Sequence, residues 1–165
     1  MPATYEPIST QTVSGTSTAS IDFSSIPATY TDLRVIATGT GVTAGSIRLR
    51  FNSDSGTNYS YTEMYGDGTS ALSSRATSTT SITLAAVGLS TTIPHLHMVD
   101  IFSYAGSTNK TCLVSLAEDN NGSGYVYRSV GLWRNTSAIT TVSVLRTSGF
   151  LGNGFTATLY GIKAA

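Results

Sequence analysis

Ser46-Ile47-Arg48-Leu49-Arg50-Phe51-Asn52 alternates apolar and charged side chains along its length. Successive side chains on a strand point to opposite faces. Ile47, Leu49 and Phe51 therefore share one face, and Arg48 and Arg50 share the other. Asn52-Ser53-Asp54-Ser55-Gly56 follows, a run of residues that tolerate tight turns and positive φ. A strand buried on one side and closed by such a turn is the repeating unit of an antiparallel sandwich.

The same grammar extends in both directions. Upstream, strands are predicted over 20–23 and, after the break at Ile26-Pro27, over 31–38. Downstream they are predicted over 59–65, 81–87, 95–104, 111–116, 125–133, 138–146 and 155–162. Gly66-Asp67-Gly68, Asp119-Asn-Asn-Gly-Ser-Gly124 and Gly149-Phe-Leu-Gly-Asn-Gly154 supply turns between them. The run at 95–104 is apolar on both parities and reads as a central strand covered on both faces. No window supports a helix: Gly, Pro and β-branched or hydroxyl residues interrupt every dozen positions. The expected fold is an all-β, antiparallel, jelly-roll-like sandwich of about 8–10 strands occupying residues 20–165. Residues 1–19 are polar and carry Pro2 and Pro7. They are expected to form an extended N-terminal arm, ordered against a partner.

Composition narrows function. Nine basic and nine acidic residues leave a formal net charge of zero, and charged residues make up only 11% of the chain. No basic surplus exists to neutralise phosphates, so nucleic acid is not an expected partner. No window approaches 18 apolar residues, so no helical membrane insertion is expected. The N-terminus lacks the basic and apolar regions of a secretory leader, and synthesis in a bacterial cytoplasm is expected. Asn58, Asn109, Asn121 and Asn135 head glycosylation-like triplets that a chain with 27 Thr and 24 Ser produces by composition alone.

His95 and His97 share a strand face, but the sequence places no third ligand beside them, so packing is preferred to metal binding. Asp119-Asn120-Asn121 resembles a calcium loop without its closing Glu, and a Gly/Asn turn explains it equally. Cys112, the one cysteine, lies in an apolar run and reads as a buried thiol. The three Glu and six Asp are scattered singly. No catalytic residue, metal or cofactor is predicted, and the chain is not expected to be an enzyme. Tyr59, Tyr61 and Tyr65 share one parity, as do Tyr125, Tyr127 and Trp133. Such rows form core by default, and a ligand- or partner-stacking platform otherwise.

Four stretches resemble a β-sandwich module of tailed-phage virion proteins: Ile26 to Val35, Leu49 to Tyr59, Gly66-Asp-Gly68, and the terminal Thr158-Leu-Tyr-Gly-Ile162. The resemblance implies a non-enzymatic virion protein, either a capsid decoration (cement) protein or a tail-fibre-type domain. With no stem or shaft in the sequence, the stand-alone decoration protein is the leading expectation. It would be a homotrimer on the capsid surface, contacting the major capsid protein or other virion proteins. The candidate assembly residues are Tyr5 and Ile8 in the arm and Arg48 and Arg50 on their strand. The alternative is a receptor-binding domain recognising host-surface glycan through Tyr59, Tyr61 and Tyr65 with the loops at 52–58 and 119–124.

Overall fold

The structure, a computed structural model, describes residues 5–85 and 87–163. It contains twelve strands among these residues: β1 (Tyr5–Thr12), β2 (Ser20–Phe23), β3 (Asp32–Gly39), β4 (Ile47–Phe51), β5 (Tyr59–Gly66), β6 (Ala71–Thr79), β7 (Ile82–Thr83), β8 (His95–Phe102), β9 (Lys110–Glu118), β10 (Tyr125–Trp133), β11 (Val142–Arg146) and β12 (Thr156–Ile162). They form an eight-stranded sheet ordered β1-β12-β3-β8-β9-β10-β5-β6 and a four-stranded sheet ordered β2-β11-β4-β7. Every pairing described is antiparallel. The pairs nest: β3 with β12, β4 with β11, β5 with β10, and β8 with β9. That is a long antiparallel hairpin rolled up on itself, the pairing logic of a jelly roll.

Each predicted strand contains or overlaps an observed one. β4 buries Ile47, Leu49 and Phe51 completely, while Arg48 and Arg50 face outward. These three pack with Ile21, Phe23, Val142 and Val144 of the small sheet against Val35, Val99, Ile101, Val114 and Trp133 of the large one. The sheets approach closely at Gly131. A Cβ there would come within 2.8 Å of both Cys112 Sγ and Ile82, so only glycine lets β7 lie against β10. The turn after β4 uses positive φ at Asn52 and Ser53. Asn52 also ties that turn to the chain entering β11, accepting from the backbone N–H of Thr140 (2.8 Å) and Thr141 (3.0 Å).

The segment expected as an arm behaves differently from Tyr5 onward. Residues 5–12 form β1, paired along β12 with a bulge between Pro7 and Ser9. Side-chain hydroxyls bridge the two strands, Thr10 to Thr158 at 2.9 Å and Thr12 to Thr156 at 3.0 Å. The chain's own sheet therefore orders this segment, with Pro7 tolerated because the strand is an edge. Residues 1–4 of the expected arm lie outside the described residues.

The structure also corrects the reading of β8. It is central within the large sheet but covered on one face only. His95, His97, Val99 and Ile101 point into the core, while Leu96 and Phe102 are exposed. Eight strands cannot be roofed by four from one side and by nothing from the other, so the apolar outer parity of β8 remains open.

Candidate functional site

The register of four adjacent strands builds an open face on the large sheet. On the outer face of β8, β9, β10 and β5, side chains align across the strands in rows. The first row is Leu96, Ala117, Val126 and Gly66; the second is Met98, Ser115, Arg128 and Met64. The third is Asp100, Leu113, Val130 and Thr62, and the fourth is Phe102, Thr111, Leu132 and Ser60. Val126 is 71% exposed and Met64 64%. At strand spacing this block measures about 19 by 23 Å, a footprint on the order of 440 Å² in which exposed apolar side chains are interspersed with Ser, Thr, Asp100 and Arg128. Two of its side chains are charged. Asp100 accepts from Arg34 Nε at 2.5 Å. Arg128 donates to the Ser115 hydroxyl and has no carboxylate partner among the described residues. Shallow hollows of about 300 and 260 Å³ flank it, floored by Met64, Leu113, Val126 and Val130.

The block ends at a cleft of about 550 Å³ lined by Asp67, Pro94, Glu118, Asp119, Tyr125 and Val126. Asp67 Oδ1 accepts the backbone N–H of Thr69 (2.9 Å) and Ser70 (2.7 Å), and these bonds hold its carboxyl below the usual range. Asp119 Oδ1 accepts the Gly122 N–H at 2.8 Å, closing the turn that Asn121 and Gly122 make with positive φ. No basic side chain lines the cleft.

Behind the cleft wall, β8 and β9 place His95 against Glu118, a contact hidden in the sequence because it depends on register. Nε2 of His95 also accepts the Ser90 N–H at 3.2 Å. Burial lowers the His95 pKa and raises that of Glu118, both toward the uncharged pair. The ring of His97 lies 5.8 Å from that of His95 in the core, and burial, then the neighbouring imidazole, push its pKa down to about 3. Among the described residues no three His, Cys, Asp or Glu side chains converge to hold a metal ion. Cys112 is buried and its thiol is pushed up to about 12, a value at which it is neither nucleophile nor ligand at neutral pH.

The tyrosine row turns inward. Tyr59 is wholly buried; its hydroxyl donates to the carbonyls of Phe51 (3.2 Å) and Asp54 (3.1 Å). Tyr61 and Tyr65 are half-buried against the core. Between them Glu63 is also buried, accepting from the Tyr127 hydroxyl and from Ser74 Oγ at 2.5 Å. Tyr59 therefore cannot stack on a ligand. Nor do the two loops assigned to the same site meet: β5 begins opposite Trp133 and ends opposite Val126, which puts 52–58 and 119–124 about 23 Å apart at opposite ends. The first loop is a bracket. Asp54 accepts from Gly56 N–H (2.8 Å), Asn58 Nδ2 (2.9 Å) and Trp133 Nε1 (2.7 Å), and the Trp133 bond above all lowers its pKa.

The four candidate assembly residues do not share a surface. Tyr5 lies on the outer face of the large sheet, stacked on Tyr160 at 4.5 Å with the Arg34 guanidinium above it. Ile8 packs toward the core. Arg48 and Arg50 sit on the outside of the small sheet, on the opposite side of the sandwich. Arg48 Nη1 donates to Thr83 Oγ1 at 2.5 Å and Arg50 Nε to the Thr80 carbonyl at 3.2 Å.

No family model matches the chain, and neither a curated protein nor a solved structure matches it.

Proposed function

We propose that this chain is a non-enzymatic structural component of a phage virion, a decoration protein of the capsid that works by being covered rather than by turning over a substrate. The observation that supports the reading is the open outer face of β8, β9, β10 and β5, where Leu96, Phe102, Met64, Val126 and Val130 stand exposed. Burying such a face against another protein removes apolar surface from water at little cost in charge desolvation, because Arg128 is its one unpaired ion. The hydroxyl-rich remainder of the surface is cheaper to bury than a charged one. The partners this reading names are other copies of the chain and the major capsid protein. The resemblance of four sequence stretches to virion modules contributes by analogy.

Truncating the N-terminus is a poor test, since it would remove β1 from the sheet. Point changes on the open face are cleaner. Purified protein should co-sediment with capsid shells lacking it, at fixed stoichiometry. Val130→Lys with Phe102→Lys should reduce that binding at least tenfold while the far-UV dichroism stays unchanged. Failure of the wild-type protein to bind any shell, or undiminished binding by the double variant, would remove this reading.

A further inference from the structure

We propose that a second copy of this chain docks on the Val126 end of the open face, related to the first by a two-fold axis running across the strands at Val126. This deepens the assembly reading by naming one partner of that face, and it rests on that reading only for the premise that the face is covered.

Charge placement is the first argument. Arg128 lies two residues beyond Val126 on the same outer face of β10, about 7 Å along the strand. On the other side of Val126 the strand runs into the cleft that carries Asp67 and Asp119 with no basic residue, its Glu118 being engaged by His95. A cation lacking a carboxylate and a cleft lacking a cation thus flank the most exposed large apolar side chain among the described residues. A two-fold axis at Val126 maps each of these positions onto the other. Arg128 of each copy then faces the acidic cleft of its partner, and the two pairs form at once, as a self-complementary interface requires. An axis centred on Arg128 itself would instead oppose two guanidinium groups.

Apolar area is the second argument. The axis brings the row of Leu96, Ala117 and Val126 of each copy over the same row of the partner. Overlap of the two open faces is confined to that row, and the rows beyond it lie over the partner's cleft and turns, so the contact falls below the standard size of a stable protein interface and within the range of weak pairs. The expected dimer is therefore one of micromolar dissociation, built up by concentration or by neighbouring copies on a surface.

Sedimentation velocity of the full chain across about 1–100 µM at low salt reads the association directly. A monomer–dimer equilibrium is expected, weakened by added salt because the association depends on ion pairs between exposed groups. Arg128→Glu alone and Asp67→Arg with Asp119→Arg should each weaken it at least tenfold, and the triple variant should recover most of the loss. Val126→Lys should leave a monomer. Unchanged far-UV dichroism confirms that each variant folds, and recovery in the triple variant cannot come from a damaged turn. A monomer throughout the concentration range, or a dimer or trimer indifferent to Arg128→Glu and Val126→Lys, would overturn the proposal. Binding to empty shells is scored separately. A monomer that still coats shells defeats the pair and leaves the assembly reading; a dimer that ignores shells does the reverse.

Discussion

Replacing Trp133 by alanine is expected to lower the unfolding free energy by about 3–5 kcal/mol, the largest loss from any single side chain in this core. Trp133 is wholly buried at the end of β10, where the two sheets meet the loop after β4. Its ring lies 5.6 Å from Phe51 of the small sheet and 6.2 Å from Tyr59 of the large one, so it joins both layers. Its indole N–H donates to Asp54, which also gathers Asn58 and Gly56. Opposite it in β9, Lys110 is buried and spends its ammonium on the carbonyls of Gly106 (2.8 Å), Thr108 (2.5 Å) and Thr136 (3.3 Å). Truncation would leave a cavity between rings and polar networks that cannot collapse into it. Trp133→Phe keeps most of the packing and loses the indole hydrogen bond, so about 1–2 kcal/mol is expected. Urea unfolding followed by far-UV dichroism is the appropriate measurement, because Trp133 is the one tryptophan and its emission disappears with it. An alanine variant within about 1 kcal/mol of the wild type would mean that this junction does not hold the sheets together.

The sequence disclosed the sandwich wherever a strand is buried on one face, because only there does period-two alternation appear. β4 and β10 stand where the pattern puts them, and β2 spans the predicted residues. β1 and β6 left no such trace. They are the two edges of the large sheet, reaching past the small one. β6 is exposed along most of its length, and its Ser-, Thr- and Ala-rich sequence has no apolar face to display. The open face escaped notice for the opposite reason. Its residues belong to strands whose inner parity is also apolar, and two apolar parities read as two covered faces. Which parity lies open depends on the sheet having eight strands against four, a count no local window contains. The contact of His95 with Glu118 and the separation of the two loops depend on register across β5, β8, β9 and β10 in the same way. The burial of Lys110 under three carbonyls is likewise set by chain segments far apart in sequence, since Thr136 lies 26 residues away.

Acid should unfold this protein well above the range in which its surface carboxylates titrate, and His97 should dominate that loss. In the folded chain burial holds its pKa near 3, whereas an unfolded histidine titrates near 6.5. Above about pH 6.5 both states carry a neutral imidazole, and the stability is fully present. Between there and pH 3 the unfolded chain binds a proton that the folded chain refuses, so stability falls as pH falls, by up to about 1.4 kcal/mol per pH unit. The groups facing His97 act on the same balance. His95 is also lowered and adds to the loss; Glu118 is raised, so the folded state takes up its proton earlier and partly offsets it. The backbone of Leu84 favours the charged imidazole, but burial outweighs it. Over the whole window the His97 contribution is on the order of 4 kcal/mol, a large part of the stability of an ordinary domain. Urea midpoints at steps between pH 7 and pH 4 measure the slope. His97→Leu, similar in size and without a proton to bind, should flatten the curve by about one proton's worth while keeping neutral-pH stability within about 1.5 kcal/mol of the wild type. If the leucine variant kept the wild-type slope, the acid sensitivity would have to come from His95, and Glu118→Gln, which leaves His95 a neighbour but removes the carboxyl whose proton offsets the loss, would then steepen the curve.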